Sequence, residues 1–283
     1  GLFAVAAHLV LVSGGIDVSF PALASLAVYA TTRVLVDNGF DGPVIVPFLI
    51  AAGLGALLGA FNGIFTSRLT VPTLIITLGT ANVFNGFMQG ALKSVQINTI
   101  PSSMQSFGQA SLFVAQNRAS GLQSAMPVSF LLLVAVVAAA FFLTRYTMFG
   151  RGIFAIGGDE AAAARAGFSV AGTKFWLYVI VGVIAAMAGM VRTCSMGQMH
   201  PTNLLGMEMM VIAAVVLGGT AITGGKGSLT GVMLGTLLIV IVQNSMILTG
   251  IPTIWQNFAL GLLIIVGTGI SAVQVARSRG RTA

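Results

Sequence analysis

Nine apolar runs separated by short polar breaks occupy most of this chain: residues 2–12, 19–36, 44–67, 72–92, 126–144, 175–193, 207–223, 229–249 and 254–276. Most have the roughly 17–25 residues that a helix needs to cross the hydrocarbon core of a bilayer. The run at 2–12 starts at the edge of the sequence and reads as truncated. Strands are a poor alternative, because an open sheet edge leaves backbone N–H and C=O groups without partners in lipid. Charge is scarce: 13 Lys and Arg with 6 Asp and Glu make only 7% of the 283 residues, against about 25% in a soluble domain. That is too little to cover a water-facing surface. The expected fold is therefore all-α, a polytopic membrane helix bundle. Its 36 glycines fit close helix packing in lipid.

The net charge of +7 does not mark a nucleic-acid binder, because the basic residues stand singly at the ends of apolar runs. They read as topology markers. The stretch 145–174 holds Arg145, Arg151, Arg165 and Lys174, and the tail 277–283 holds Arg277, Arg279 and Arg281. Both belong in the cytoplasm by the positive-inside rule, and the four runs between them are an even number, as that requires. Counting backward puts Arg68 inside and the Asp37/Asp41 loop outside. The polar stretch 94–125 also falls outside, with Lys93 and Arg118 as exceptions, and counting forward puts Lys226 inside. Arg33 and Arg192 fall near outer ends, against the rule. The organisation expected is one transmembrane domain over 1–276 with a cytoplasmic loop at 145–174, followed by the basic tail 277–283. No signal-peptide pattern opens the chain. One further helix upstream would place the natural N-terminus inside and bring the total to about ten. The lone Cys194 excludes an intrachain disulfide.

Three stretches interrupt the apolar pattern. In Ser13-Gly14-Gly15-Ile16-Asp17-Val18-Ser19, two glycines break one helix and Asp17 or Ser19 can cap the next. An acid at membrane depth is a functional-site candidate, though capping alone accounts for Asp17 equally well. The second stretch runs from Met207-Glu208 through Gly218-Gly219-Thr220 to Gly224-Gly225-Lys226-Gly227. It lacks the spacing of a phosphate loop, since Gly227 follows Lys226, and Glu208 reads as an interfacial anchor or a substrate contact. Asp17, Ser19 and Glu208, with the polar positions Asn62, Thr77 and Asn82 inside apolar runs, make up the candidate translocation pathway. The third stretch is 150–167. Gly157-Gly158 reads as a turn, Asp159 as an N-cap, and Glu160 favours the positive end of the helix dipole. Ala161, Ala162 and their neighbours then carry a short helix past Arg165 that Gly167 ends. So short a helix is marginal unless it docks on something; it is either an interfacial helix or a docking element.

The motif 13–19, the motif Val71-Pro72-Thr73-Leu74-Ile75-Ile76-Thr77-Leu78-Gly79-Thr80, the stretch 150–167 and the stretch 212–227 occur in this order over nearly the whole chain. Together they resemble the permease subunits of ribose-type ABC importers, a family that takes up simple sugars and, in one branch, autoinducer-2. The resemblance implies a multi-pass protein of the bacterial inner membrane. It implies a second permease copy or paralogue, a cytoplasmic ATP-binding subunit and a periplasmic substrate-binding protein. It also implies that Gly157, Gly158, Asp159, Glu160, Ala161, Ala162, Arg165 and Gly167 couple to the ATPase. No catalytic residue, cofactor or metal is expected in this subunit. The chain departs from the family at Phe20-Pro21, where a Val-Gly pair is usual, at His8 and at Met210; the Glu208-Met209 pair resembles the autoinducer-2 branch.

Two other readings come from the residues. An ion-coupled transporter would show matching broken helices in two halves, but Gly14-Gly15 finds no counterpart in 194–206. A soft-metal site would use Cys194, Met196, Met199, His200, Met207, Met209 and Met210; methionine as an adaptable packing residue is the plainer account.

Overall fold

The computed structural model describes residues 1–116 and 123–252, together with Trp255, Phe258, Ala259, Gly261, Leu262 and Ile265. The expected run 254–276 lies largely outside the described residues, and Arg118 and the tail 277–283 wholly so. The described elements are α1 (Leu2–Val12), α2 (Phe20–Asp37), α3 (Ile45–Arg68), α4 (Thr73–Gly90), α5 (Ser102–Gln109), β1 (Ser111–Gln116), β2 (Gln123–Pro127), α6 (Ser129–Tyr146), α7 (Met148–Gly158), α8 (Glu160–Arg165), α9 (Val170–Met196), α10 (Glu208–Leu217) and α11 (Leu229–Leu248). Each of the first eight apolar runs carries a helix. Among them α3, α6, α9 and α11 are long and apolar enough to cross a membrane, and α2 and α4 have 18 residues each.

Two expectations are corrected. The run 207–223 is helical only as far as Leu217, because Gly219 turns the chain at φ +89° and a loop closes through Ala221 N–H to the Lys226 carbonyl at 2.9 Å. At 10 residues, α10 reaches only about 15 Å, half a membrane. Gly157-Gly158 is not a turn: both residues belong to the last turn of α7, and the chain bends at the extended Asp159. The structure also adds a short antiparallel strand pair, β1–β2, which begins in the polar stretch expected outside and ends at Pro127 in the following apolar run.

The bundle is built around α9, against which α1, α2 and α3 pack. The closest seam joins α3 and α9 through Gly55, Gly59 and Gly63, one every fourth residue and so on one helix face. A Cβ on Gly55 would overlap the Gly182 carbonyl, and one on Gly59 the Tyr178 carbonyl; the reciprocal Cβ on Gly182 would meet Gly59 Cα at 2.9 Å. Small residues let the two backbones approach, which is how helices gain packing energy where lipid supplies no hydrophobic drive.

The loops sort to two ends as the charges predict. At one end Gly225 N–H donates to the Val12 carbonyl at 2.8 Å, and Lys174 pairs with Glu160 at 2.7 Å. A cleft there is shared by Gly14, Arg68, Pro72, Glu160 and Lys174. At the other end the Tyr29 hydroxyl donates to the Val95 carbonyl at 3.0 Å, Ile97 bridges to Met199, and Ser102 donates to Asp41 at 2.6 Å. Arg33, which went against the charge rule, is paired with Asp37 at 2.8 Å, and Arg192 donates to Asn203 at 3.3 Å.

Candidate functional site

The segment between α1 and α2 follows from its sequence. Gly14 takes φ +80°, a conformation that side chains strongly disfavour, and so ends α1 sharply. Gly15 N–H still donates to the Val10 carbonyl at 3.1 Å, and α4 supplies partners for the backbone of Ile16 and Val18. Thr73 Oγ1 accepts from Ile16 N–H at 2.9 Å, while Thr77 Oγ1 accepts from Val18 N–H at 3.3 Å and lies 3.2 Å from the Ile16 carbonyl as donor. Asp17 folds back over the start of α2: its Oδ1 accepts from both the backbone N–H and the hydroxyl of Ser19 at 2.6 Å. Asn62 on α3 completes the cluster, donating to Ser19 Oγ at 2.7 Å. Asp17, Ser19, Asn62 and Thr77 are all buried. Four of the six expected pathway residues thus come together, holding one segment against two helices.

The other two stand apart. Asn82 is on an exposed face of α4, its amide donating to the Leu78 carbonyl at 3.1 Å. Glu208 is half-buried in the first turn of α10, where its charge complements the helix dipole. On the same α4 face as Asn82 lie Gly79, Gly86 and Gln89, also exposed. This spacing of three and four residues makes a polar and glycine stripe at membrane depth, whereas α6 carries only apolar side chains from Phe130 to Leu143.

The short helix α8 forms as its sequence demands. Asp159 Oδ1 accepts from Ala162 N–H at 2.9 Å as the N-cap, Glu160 stands in the first turn and Arg165 in the last, and Gly167 at φ +90° ends it. Glu160, Ala161, Ala162 and Arg165 are exposed, presenting a surface rather than a core. Immediately before it, Gly157 is wedged between two other segments: a Cβ there would overlap the Val12 carbonyl and meet Gly225 N at 2.6 Å. A Cβ on Gly224 would in turn meet Gly14 Cα at 2.6 Å and the Gly157 carbonyl at 2.7 Å. Gly14 and the pairs 157–158 and 224–225, far apart in sequence, therefore meet at one junction. It ties the base of α8 to the segment carrying Asp17.

Sequence reasoning left unread the roles of Thr73 and Tyr178 and the partner of His8. Thr73 was visible only as a motif residue, and its role needed the α4 fold. Tyr178 on α9 is buried, its hydroxyl among the buried side-chain oxygens without a hydrogen-bond partner among the described residues. His8 is the buried, hydrogen-bonded core histidine its apolar setting implies, but its partner, Thr220 Oγ1 at 2.9 Å, lies 212 residues away. The sulfur cluster is not gathered on a common point: Met199 accepts from Thr193, Met196 from Asn203 and Met210 from Gln243, while Cys194 is buried and Met209 exposed.

Comparison with known proteins bears on this arrangement. The family model described as "Branched-chain amino acid transport system / permease component" matches residues 1–267. The autoinducer 2 import system permease protein LsrC of Enterobacter sp. (strain 638) is 34% identical over 264 residues, covering 93% of this chain and 73% of the relative. LsrC of Klebsiella pneumoniae subsp. pneumoniae is 31% identical over 93% of this chain and 73% of its own length, and that of Yersinia enterocolitica 30% over 93% and 69%. No solved structure matches. A bundle of apolar helices whose loops sort by charge, matched almost end to end by this family model, is a multi-pass transport permease of the inner membrane, and the chain belongs to the permease-component family of these transport systems.

Proposed function

We propose that this chain is the membrane-spanning subunit of an ATP-driven importer and forms half of the pathway for a small polyhydroxylated molecule of the simple-sugar class. Hydrolysis takes place in a separate cytoplasmic ATP-binding subunit, a periplasmic binding protein delivers the substrate, and a second permease copy or paralogue completes the pathway. Residues 145–174 act as the coupling loop, with Gly157 to Gly167 facing the ATPase. The observation that carries this reading is the glycine junction. A capped, exposed helix that docks on a partner is joined through Gly157 to the segment held by Asp17, Ser19, Asn62 and Thr77. A nucleotide-dependent shift of α8 then biases two arrangements of that segment through differential contacts. The exposed α4 face with Asn82 turns toward the substrate, and Glu208 stands at its outer entrance. Within the substrate class, autoinducer-2 is favoured over a free pentose, because the relatives that cover most of this chain are named for it.

The test uses the assembled importer in proteoliposomes with its binding protein. Gly157→Val and Glu160→Ala should leave ATP hydrolysis in place while lowering uptake by about 5- to 150-fold, the ordinary size of a coupling free energy. Gly158→Ala, where an added Cβ meets nothing within 4 Å, should transport normally. Wild-type uptake by Gly157→Val, or uptake that a protonophore abolishes and ATP depletion spares, would overturn the reading. Uptake of labelled pentose but not autoinducer-2 would restore the sugar assignment.

A further inference from the structure

The short helix α8 has little to hold it at one angle. Of its six residues only Ala163 is buried, and a helix of that length is marginal without docking. Its ends are fixed by near neighbours: Asp159 caps the start, and Phe168 N–H donates to the Ala163 carbonyl at 3.1 Å beyond the last turn. Those bonds shape the helix without setting its orientation in the bundle. Among the described residues, the side-chain bond that ties α8 to another helix comes from Lys174, whose Nζ donates to Glu160 Oε2 at 2.7 Å.

The needs of α9 do not account for Lys174. It stands near the start of that 27-residue helix, where the dipole gives a cation no advantage. A lysine that only marks the cytoplasmic side can leave its charge in water, yet the Lys174 side chain is 19% exposed, against 57% for Glu160. The lysine is folded into the protein, and the α8 carboxylate is held against it. Both residues line the cytoplasmic cleft of about 610 Å³ that also includes Gly14, Ile16 and Thr73. The bridge therefore fixes α8 to α9 beside the segment that carries Asp17.

The helix α9 carries that position onward. A Cβ on Gly63 would meet the Phe175 carbonyl at 2.8 Å, and one on Gly59 would overlap the Tyr178 carbonyl, so the turn after Lys174 lies directly on α3. Between those glycines Asn62 donates to Ser19 at 2.7 Å. These contacts, from Glu160 through Lys174, α9 and α3 to Ser19, are separate from the glycine junction and end on the same segment. We propose that Lys174 is a positioning residue of the coupling step: it holds α8 to α9 so that a displacement of α8 reaches α3. This rests on the importer reading and deepens it, giving Glu160 an internal partner rather than a direct bond to the ATPase.

The experiment measures uptake per ATP hydrolysed by the assembled importer in proteoliposomes, and the melting temperature of each purified complex. Lys174→Ala should lower uptake per ATP by about 5-fold or more, from the lower end of ordinary coupling upward. Its melting temperature should stay near the parent's, because a pair with one exposed partner adds little to stability. Glu160→Ala combined with Lys174→Ala should do no worse than the poorer single variant, as expected of two residues acting through one contact. Exchanging the charges, Glu160→Lys with Lys174→Glu, should recover most of the loss. Parental coupling in Lys174→Ala, single losses that multiply in the double variant, or an exchange variant no better than Lys174→Ala would each overturn the proposal. Should Lys174→Ala assemble poorly, Lys174→Arg keeps the charge and Lys174→Met only the stem; equal coupling by these two would overturn it as well. A parent complex without ATP-driven uptake would instead remove the importer reading, so the two failures are told apart.

Discussion

Asp17 spans no more than two residues with its hydrogen bonds, yet it decides how α2 begins. Its Oδ1 takes two donors from Ser19, and Ser19 Oγ in turn takes the Asn62 amide, so one carboxylate organises a junction between a loop and α3. Each of these groups is buried, where a donor left without an acceptor costs about 1–3 kcal/mol. Asp17→Ala should therefore destabilise the protein by about that amount, while Asp17→Asn, which keeps Oδ1 as an acceptor, should cost less. Thermal unfolding in detergent, read as the difference between the two variants, checks this; equal stability of both with the parent would mean that the cluster contributes nothing to folding. The Lys174–Glu160 pair, with Glu160 exposed, is worth much less, as surface ion pairs are.

At the scale of elements, the α3–α9 seam and the break after α10 do the most to shape the bundle. Gly59 stands against the Tyr178 backbone, where no rotamer change can make room, so Gly59→Leu should prevent the two helices from packing. Gly53 is on the same helix but meets nothing within 4 Å, and Gly53→Leu should be accepted and even favour the helix. Size-exclusion profiles of the two variants make the comparison: a monodisperse Gly59→Leu protein would show that the seam tolerates separation. The shortness of α10 has a different cause. Its apolar run continues to residue 223, but Gly218-Gly219 lets the chain leave the helix and bring Gly224 and Gly225 against Gly14 and Gly157.

The whole molecule has two unlike ends, and they match the sides assigned by charge. The loops around Asp41, Ser102 and Met199 meet at one end, and those carrying Arg68, Glu160, Lys174 and Gly225 at the other. An impermeant maleimide applied to spheroplasts should label Ser106→Cys and leave Lys226→Cys unlabelled until the membrane is opened; both positions are exposed, and the native Cys194 is buried. Labelling of Lys226→Cys from outside would reverse the assigned orientation.

Most of the helices were legible because crossing lipid demands long apolar runs, and that demand is written locally, residue by residue. The cap at Asp159 and the stop at Gly167 were legible for the same reason, since capping involves only near neighbours. Asp17, Ser19, Asn62 and Thr77 each stood out as polar residues in apolar surroundings, but nothing in the sequence said that they touch. Asn82 and Glu208 stood out in the same way and lie elsewhere. The end of α10 was misread because hydropathy does not register a chain that stays apolar while leaving the helix. By itself, then, the sequence determined a membrane bundle, the sorting of its loops by charge and a short capped helix at Asp159, all properties that depend on composition, periodicity and charge along the chain. Only the tertiary structure decided that Gly14, Gly157 and Gly224 share one junction and that His8 meets Thr220, because such contacts depend on which backbones approach closely, and that is fixed by packing across more than 200 residues.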